Sequence, residues 1–190
     1  MKKIILSFLW ILLCNTAIGQ VSSYFQLTPD GFRTNEGSTY FVIQQDGCSA
    51  ADLYNRVLLS VGRQFKSPKD VISTVVNQQI SINAIYPDIV KVKGFSGMAD
   101  ARFIVIFEFK ENRMRIIAPE ILSFNNEYGA EILYICQKTN ALTQTKDQSI
   151  FDYKTRNVRM TEYKATIENA FNALIHSLIY STANTNNDNW

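Results

Sequence analysis

Arg102-Phe103-Ile104-Val105-Ile106-Phe107-Glu108-Phe109-Lys110 alternates with a period that suits a β-strand and no helix. Phe103, Val105, Phe107 and Phe109 fall on one face, and Ile104, Ile106, Glu108 and Lys110 on the other. Reading Glu111-Asn112 as a two-residue hairpin loop pairs Lys110 with Arg113. Phe109 then opposes Met114, Phe107 opposes Ile116 and Val105 opposes Ala118, all on one face. The same register sets Glu108 against Arg115 on the other face, whereas a loop one residue longer would bury Arg115. A hairpin with so apolar a face needs a layer packed over it.

The flanking sequence supplies that layer. Thr39-Tyr40-Phe41-Val42-Ile43 is aromatic and β-branched and stops at Asp46-Gly47, as a first strand does. Ser49-Ala50-Ala51-Asp52 is a capping box with Asp in place of Glu. Tyr54, Val57, Leu58, Val61 and Phe65 follow at helical spacing, and Pro68 lies beyond the expected end. Residues 71–76 and 80–84 read as two further strands, and residues 85–99, broken by Pro87, Gly94 and Gly97, as a loop. Residues 120–157 conceal a missing element, since a long structureless connection is unusual in a compact domain. Residues 160–180 form a second helix through Tyr163, Ile167, Ala170, Phe171, Leu174, Ile175 and Leu178.

The order β-α-β-β-β-β-α predicts an α+β domain, an antiparallel sheet with both helices packed on one face. Its expected core is Phe41, Ile43, Tyr54, Val57, Val61, Ile80, Ile82, Phe103, Val105, Phe107, Ile116, Phe171, Leu174 and Leu178. The domain is expected over residues 38–182, with 20–37 an extended lead-in and 183–190 a frayed polar tail.

The N-terminus is expected to be a signal peptide over residues 1–19. Met1-Lys2-Lys3 is a positive start, residues 4–14 are mostly apolar, and Ala17-Ile18-Gly19 is a small-residue exit, which puts cleavage between Gly19 and Gln20. The apolar run is too short to span a bilayer, and Leu13 is bulky where lipid attachment at Cys14 would want a small residue. Of the 190 residues, 171 then remain, enough for one domain. Lys2 and Lys3 leave with the signal, so 17 basic residues face 17 acidic ones. A neutral exported chain has no field for nucleic acid. Periplasm or cell surface is the expected destination. Cys48 and Cys136 remain, and an even count in an oxidising compartment permits one disulfide or two separate thiols.

Ser49-Ala50-Ala51-Asp52-Leu53-Tyr54-Asn55-Arg56, together with Phe107-Glu108-Phe109-Lys110-Glu111-Asn112-Arg113-Met114-Arg115, resembles a known family. This is the set of exported proteins of gut-type Gram-negative bacteria that carry domain of unknown function 4468, with a TBP-like fold. The resemblance covers residues 38–120 and implies a β-α-β(4)-α topology. Glu111-Asn112 stands where the family's turn usually carries Gly, and a Trp frequent in its first helix is missing. The family implies no established activity, and a fold supplies none by itself.

No catalytic or metal-ligating constellation is legible. His176 is the only histidine, and helical spacing places it with Asn169, Asn172 and Tyr180 on the expected solvent side of the second helix. One His and two distant Cys offer no zinc spacing. Cys48 precedes a helix N-terminus, but no Lys, Arg or His adjoins it in sequence. Lys154, Arg156, Arg159 and Lys164, interspersed with Asp152 and Glu162, read as a solvated flank. The informative feature is the sheet face turned away from the helices, where Tyr40, Val42, Ile104, Ile106 and Ile117 project. Either residues 120–157 cover it or it is a binding surface. The sequence therefore points to a non-enzymatic interaction module, without cofactor, that binds an envelope protein or self-associates through this face or an edge strand. The alternative is a carrier holding a lipid or other small apolar ligand between sheet and helices.

Overall fold

The computed structural model describes residues 23–94, 97–138 and 148–180. The proposed signal peptide, its cleavage point at Gly19 and Gln20, and the expected tail 183–190 lie outside them. The seven expected elements are all present: β3 (Tyr40–Gln44), α1 (Ala50–Gln64), β4 (Ile72–Val75), β5 (Gln79–Lys91), β6 (Met98–Lys110), β7 (Arg113–Asn125) and α3 (Thr161–Tyr180). They form an α+β fold in which an antiparallel sheet, ordered β3-β7-β6-β5-β4, carries α1 and α3 on one face.

The β6–β7 hairpin has the register the alternation predicts, with Lys110 opposite Arg113, Phe109 opposite Met114, Glu108 opposite Arg115 and Phe107 opposite Ile116. Asn112 takes the left-handed conformation (φ 62°) that Gly more often supplies. The register fails one step further on. Ile106 opposes Ile117 but Ile104 opposes Glu120, so a bulge removes the expected pairing of Val105 with Ala118. Pro119, which has no N–H for the ladder, falls at this irregularity.

α1 begins as its sequence demands. The Ser49 hydroxyl accepts from the Asp52 N–H at 3.1 Å, and the Asp52 carboxylate accepts from the Ser49 N–H at 3.3 Å. Leu53, Tyr54, Val57 and Val61 point into the sheet. The Phe171 ring of α3 meets the edge of Phe103 at 5.1 Å, and Tyr54 meets Phe109 at 5.7 Å. Every expected core residue is buried except Phe41, which is half-buried and packs against the ring of Tyr24 at 5.4 Å.

Two expectations are corrected and a third, the element missing from 120–157, is made specific. The described part of the expected lead-in, residues 23–37, is not merely extended. β1 (Gln26–Thr28) and β2 (Gly31–Arg33) make a small hairpin about Pro29-Asp30-Gly31, and Tyr24, Phe25, Leu27 and Phe32 enter the common core. Residues 85–99 are not simply a loop. β5 runs on past Pro87 to Lys91, interrupted by a bulge where Asp88 has φ 52° and its N–H donates to the Asp100 carboxylate at 2.9 Å. The element concealed in 120–157 is threefold: β7 itself continues to Asn125, β8 (Glu131–Leu133) pairs with its end, and single bridges join Tyr134 to Ser149 and Phe151 to Val158. A one-turn helix, α2 (Pro68–Val71), precedes β4.

Candidate functional site

The sheet face opposite the helices is built by register. Ile106, Ile117 and Tyr40 lie in one cross-strand row over β6, β7 and β3, a stripe about 10 Å wide at ordinary strand spacing. Ile104 sits two residues along β6. The next row is Val42, Arg115, Glu108 and Gln79, followed by Gln44, Arg113 and Lys110. Tyr40 is 44% and Val42 38% exposed, while Ile104, Ile106 and Ile117 are half-buried and outside the core cluster. Of the described residues, 120–138 and 148–157 send Phe124, Ile132, Leu133, Ile150 and Phe151 into that core.

Polar groups arrange the rim. Arg115 pairs with Glu108, and its guanidinium carbon stands 5.3 Å from the centre of the Tyr40 ring, a cation–π contact. A depression of about 210 Å³ opens between Tyr40, Val42, Glu108, Lys110, Arg113 and Arg115. Three cations and one carboxylate line it, giving this end of the stripe a positive excess.

The two cysteines are unbridged. Each sulfur has its own arginine instead: Arg56 donates to Cys48 at 3.1 Å and Arg156 to Cys136 at 3.4 Å. The sequence hides both partners, because Arg56 returns to Cys48 over the first turns of α1 and Arg156 lies 20 residues beyond Cys136. Arg156 also pairs with Asp30, which helps hold its guanidinium above its ordinary pKa, and Lys164 pairs with Glu168. The basic stretch is therefore partly engaged by the protein itself.

The expected solvent side of the second helix is covered at Asn172 and partly at His176. Asn172 is only 5% exposed, and its Oδ1 accepts from the N–H groups of Tyr24 and Phe25 at 2.9 and 3.0 Å. The His176 Nδ1 is hydrogen-bonded to the Tyr24 hydroxyl at 3.0 Å, with the ring packed on Tyr180. Asn169 and Tyr180 remain exposed. A larger open groove of about 580 Å³ follows residues 117–124 of β7 and is walled by β2 and residues 133–137. Burial raises the Glu131 carboxyl at its rim above the usual range. Among the described residues no three of His, Cys, Asp and Glu gather as metal ligands, and no helix is long and apolar enough to cross a membrane.

Among the described residues, fold and face thus define an α+β domain with one helix-covered sheet face and one aromatic-aliphatic face. Among solved structures it is similar to a TBP-like protein from Parabacteroides distasonis, over 73% of this chain and 90% of that one, at 12% identity and a TM-score of 0.43. No family model and no curated protein matches the chain.

Proposed function

We propose that the chain is an exported, non-enzymatic interaction module of the cell envelope, a member of the domain-4468 family, and that it holds a protein partner on the open sheet face. The observation that carries this reading is the stripe of Tyr40, Ile117 and Ile106, outside the core formed by the described residues, beside the cationic depression of Lys110, Arg113 and Arg115. Tyr and Arg over a half-buried aliphatic floor is the mixture that protein interfaces concentrate at their centres. The positive excess fits a partner presenting an apolar side chain next to a carboxylate. A carrier would need space between sheet and helices. Val57, Val61, Ile167, Phe171 and Leu178 meet Ile80, Ile82, Phe103 and Phe107 there, all at 0–1% exposure.

Native mass spectrometry of protein taken from its own envelope, with Ile106→Glu and Arg113→Glu alongside, tests the reading. A protein partner should accompany the wild type and be lost from both variants while their melting points stay close to the wild type. Retention of that partner by both variants, or a lipid in its place, would sink the proposal. The same spectra read the mature N-terminus. Gln20 supports export by cleavage, and a diacylglycerol on Cys14 contradicts it.

A further inference from the structure

The cationic end of the sheet face carries charge that the described residues do not balance. Lys110 stands directly opposite Arg113, and like charges so placed repel. The carboxylates nearest in sequence are engaged elsewhere, Glu108 with Arg115 and Glu111 with the Ala50 N–H at 3.1 Å. Among the described residues neither Lys110 nor Arg113 has an ion-pair partner. Beside them Tyr40 and Val42 lie on β3, the last strand of the sheet, whose outer edge has no described partner.

α3 ends close to that edge. A row of rings runs from Phe41 of β3 through Tyr24 and His176 to Tyr180, with centres 5.4, 6.4 and 4.7 Å apart. Residues 181–190 follow, and extended chain covers about 3.3 Å for each, roughly 33 Å in all. That is enough to round β3, since a sheet and the layer packed on it are about 10 Å apart. The segment contains no cation, one carboxylate at Asp188 and one large apolar side chain at Trp190. Two residues apart in an extended segment, these project to the same side. An apolar group next to a carboxylate is the chemistry that complements the face.

We infer that residues 181–190 are this face's own occupant: they round the edge of β3 and seat Trp190 on Tyr40 and Val42, with Asp188 against Arg113 and Lys110, so that a partner has to displace them. The inference rests on reading the face as a docking surface and adds its regulation. A tether this short gives an effective concentration on the order of millimolar, so contacts too weak to hold a separate peptide suffice.

In chain beginning at Gln20, Trp190 is the only tryptophan, so its fluorescence reads the contact directly. Its emission should be blue-shifted and poorly quenched by acrylamide at every protein concentration. Arg113→Glu and Ile106→Glu should expose it while the melting point stays close to the wild type. Asp188→Asn should shift the docking equilibrium toward release by about two- to fivefold, the range of one screened charge pair, and raised salt should act in the same direction. A tryptophan as accessible in the wild type as in Arg113→Glu overturns the inference. So does protection that grows with protein concentration, which would place the segment on a second copy. Native mass spectrometry separates this outcome from the fate of the docking reading: a partner lost from Ile106→Glu beside an exposed wild-type Trp190 refutes the segment alone, and a protected Trp190 with no partner refutes the partner alone.

Discussion

Asn172 uses its whole amide. Its oxygen accepts from two backbone N–H groups of the N-terminal segment, and its Nδ2 donates to the carbonyls of Phe25 and Glu168 at 2.8 and 2.9 Å. Replacing it with Ala strands two buried donors, and each such loss costs more than a hydrogen bond contributes net. Asn172→Ala should therefore destabilise the protein by about 2–4 kcal/mol in urea unfolding, with the loss of the Tyr24–His176 contact visible by NMR. Glu131 behaves in the opposite sense. Burial raises its folded-state pKa above the ordinary 4.5, so folding favours its protonated form. That stabilisation is complete below the unfolded pKa and is lost as pH rises through the folded one. Glu131→Gln, which cannot ionise, should be more stable than the wild type near neutrality and lose that advantage by about pH 4. Equal differences in melting point at both pH values would contradict the assignment.

Elements were legible in proportion to how long their period runs undisturbed. The β6 alternation and the α1 and α3 stripes span enough residues to fix type and facing, and the charge pair Glu108–Arg115 fixed the hairpin register. β1 and β2, with three residues each, are too short to display a period. In β5, Pro87 and the left-handed Asp88 look like a loop because a bulge uses the same residues as a turn. The polar side of α3 misled for a related reason. Asn172 and His176 face away from the sheet, and only a segment 148 residues earlier in the chain makes that side interior. Within the β6–β7 turn, Asn112 combines a left-handed backbone with a 2.8 Å bond from the Gly47 N–H to its Oδ1. Asn112→Ala forfeits both and should cost about 1–2 kcal/mol in equilibrium unfolding, whereas Asn112→Gly should cost less because it relaxes the backbone.

At the scale of the molecule, the N-terminal segment is what completes the core. Tyr24, Phe25, Leu27 and Phe32 are at most 5% exposed, and Phe32 packs on Phe171 with ring centres 5.2 Å apart. Burial of each such side chain is worth about 1.5–3 kcal/mol. Four together approach the whole net stability of an ordinary domain, about 5–15 kcal/mol. Cleavage after Gly19 would leave Gln20, Val21, Ser22 and Ser23 ahead of the first buried ring, so a mature chain keeps the segment whole. A chain shortened to begin at Ser38, the boundary that periodicity alone suggests, would instead uncover the α3 face around Asn172 and Phe171. It should unfold without a cooperative transition and bind a hydrophobic dye, while a chain beginning at Gln20 melts as sharply as the protein recovered from cells. Matching transitions for the two shortened chains would mean that the β1–β2 hairpin rests on the core without supporting it.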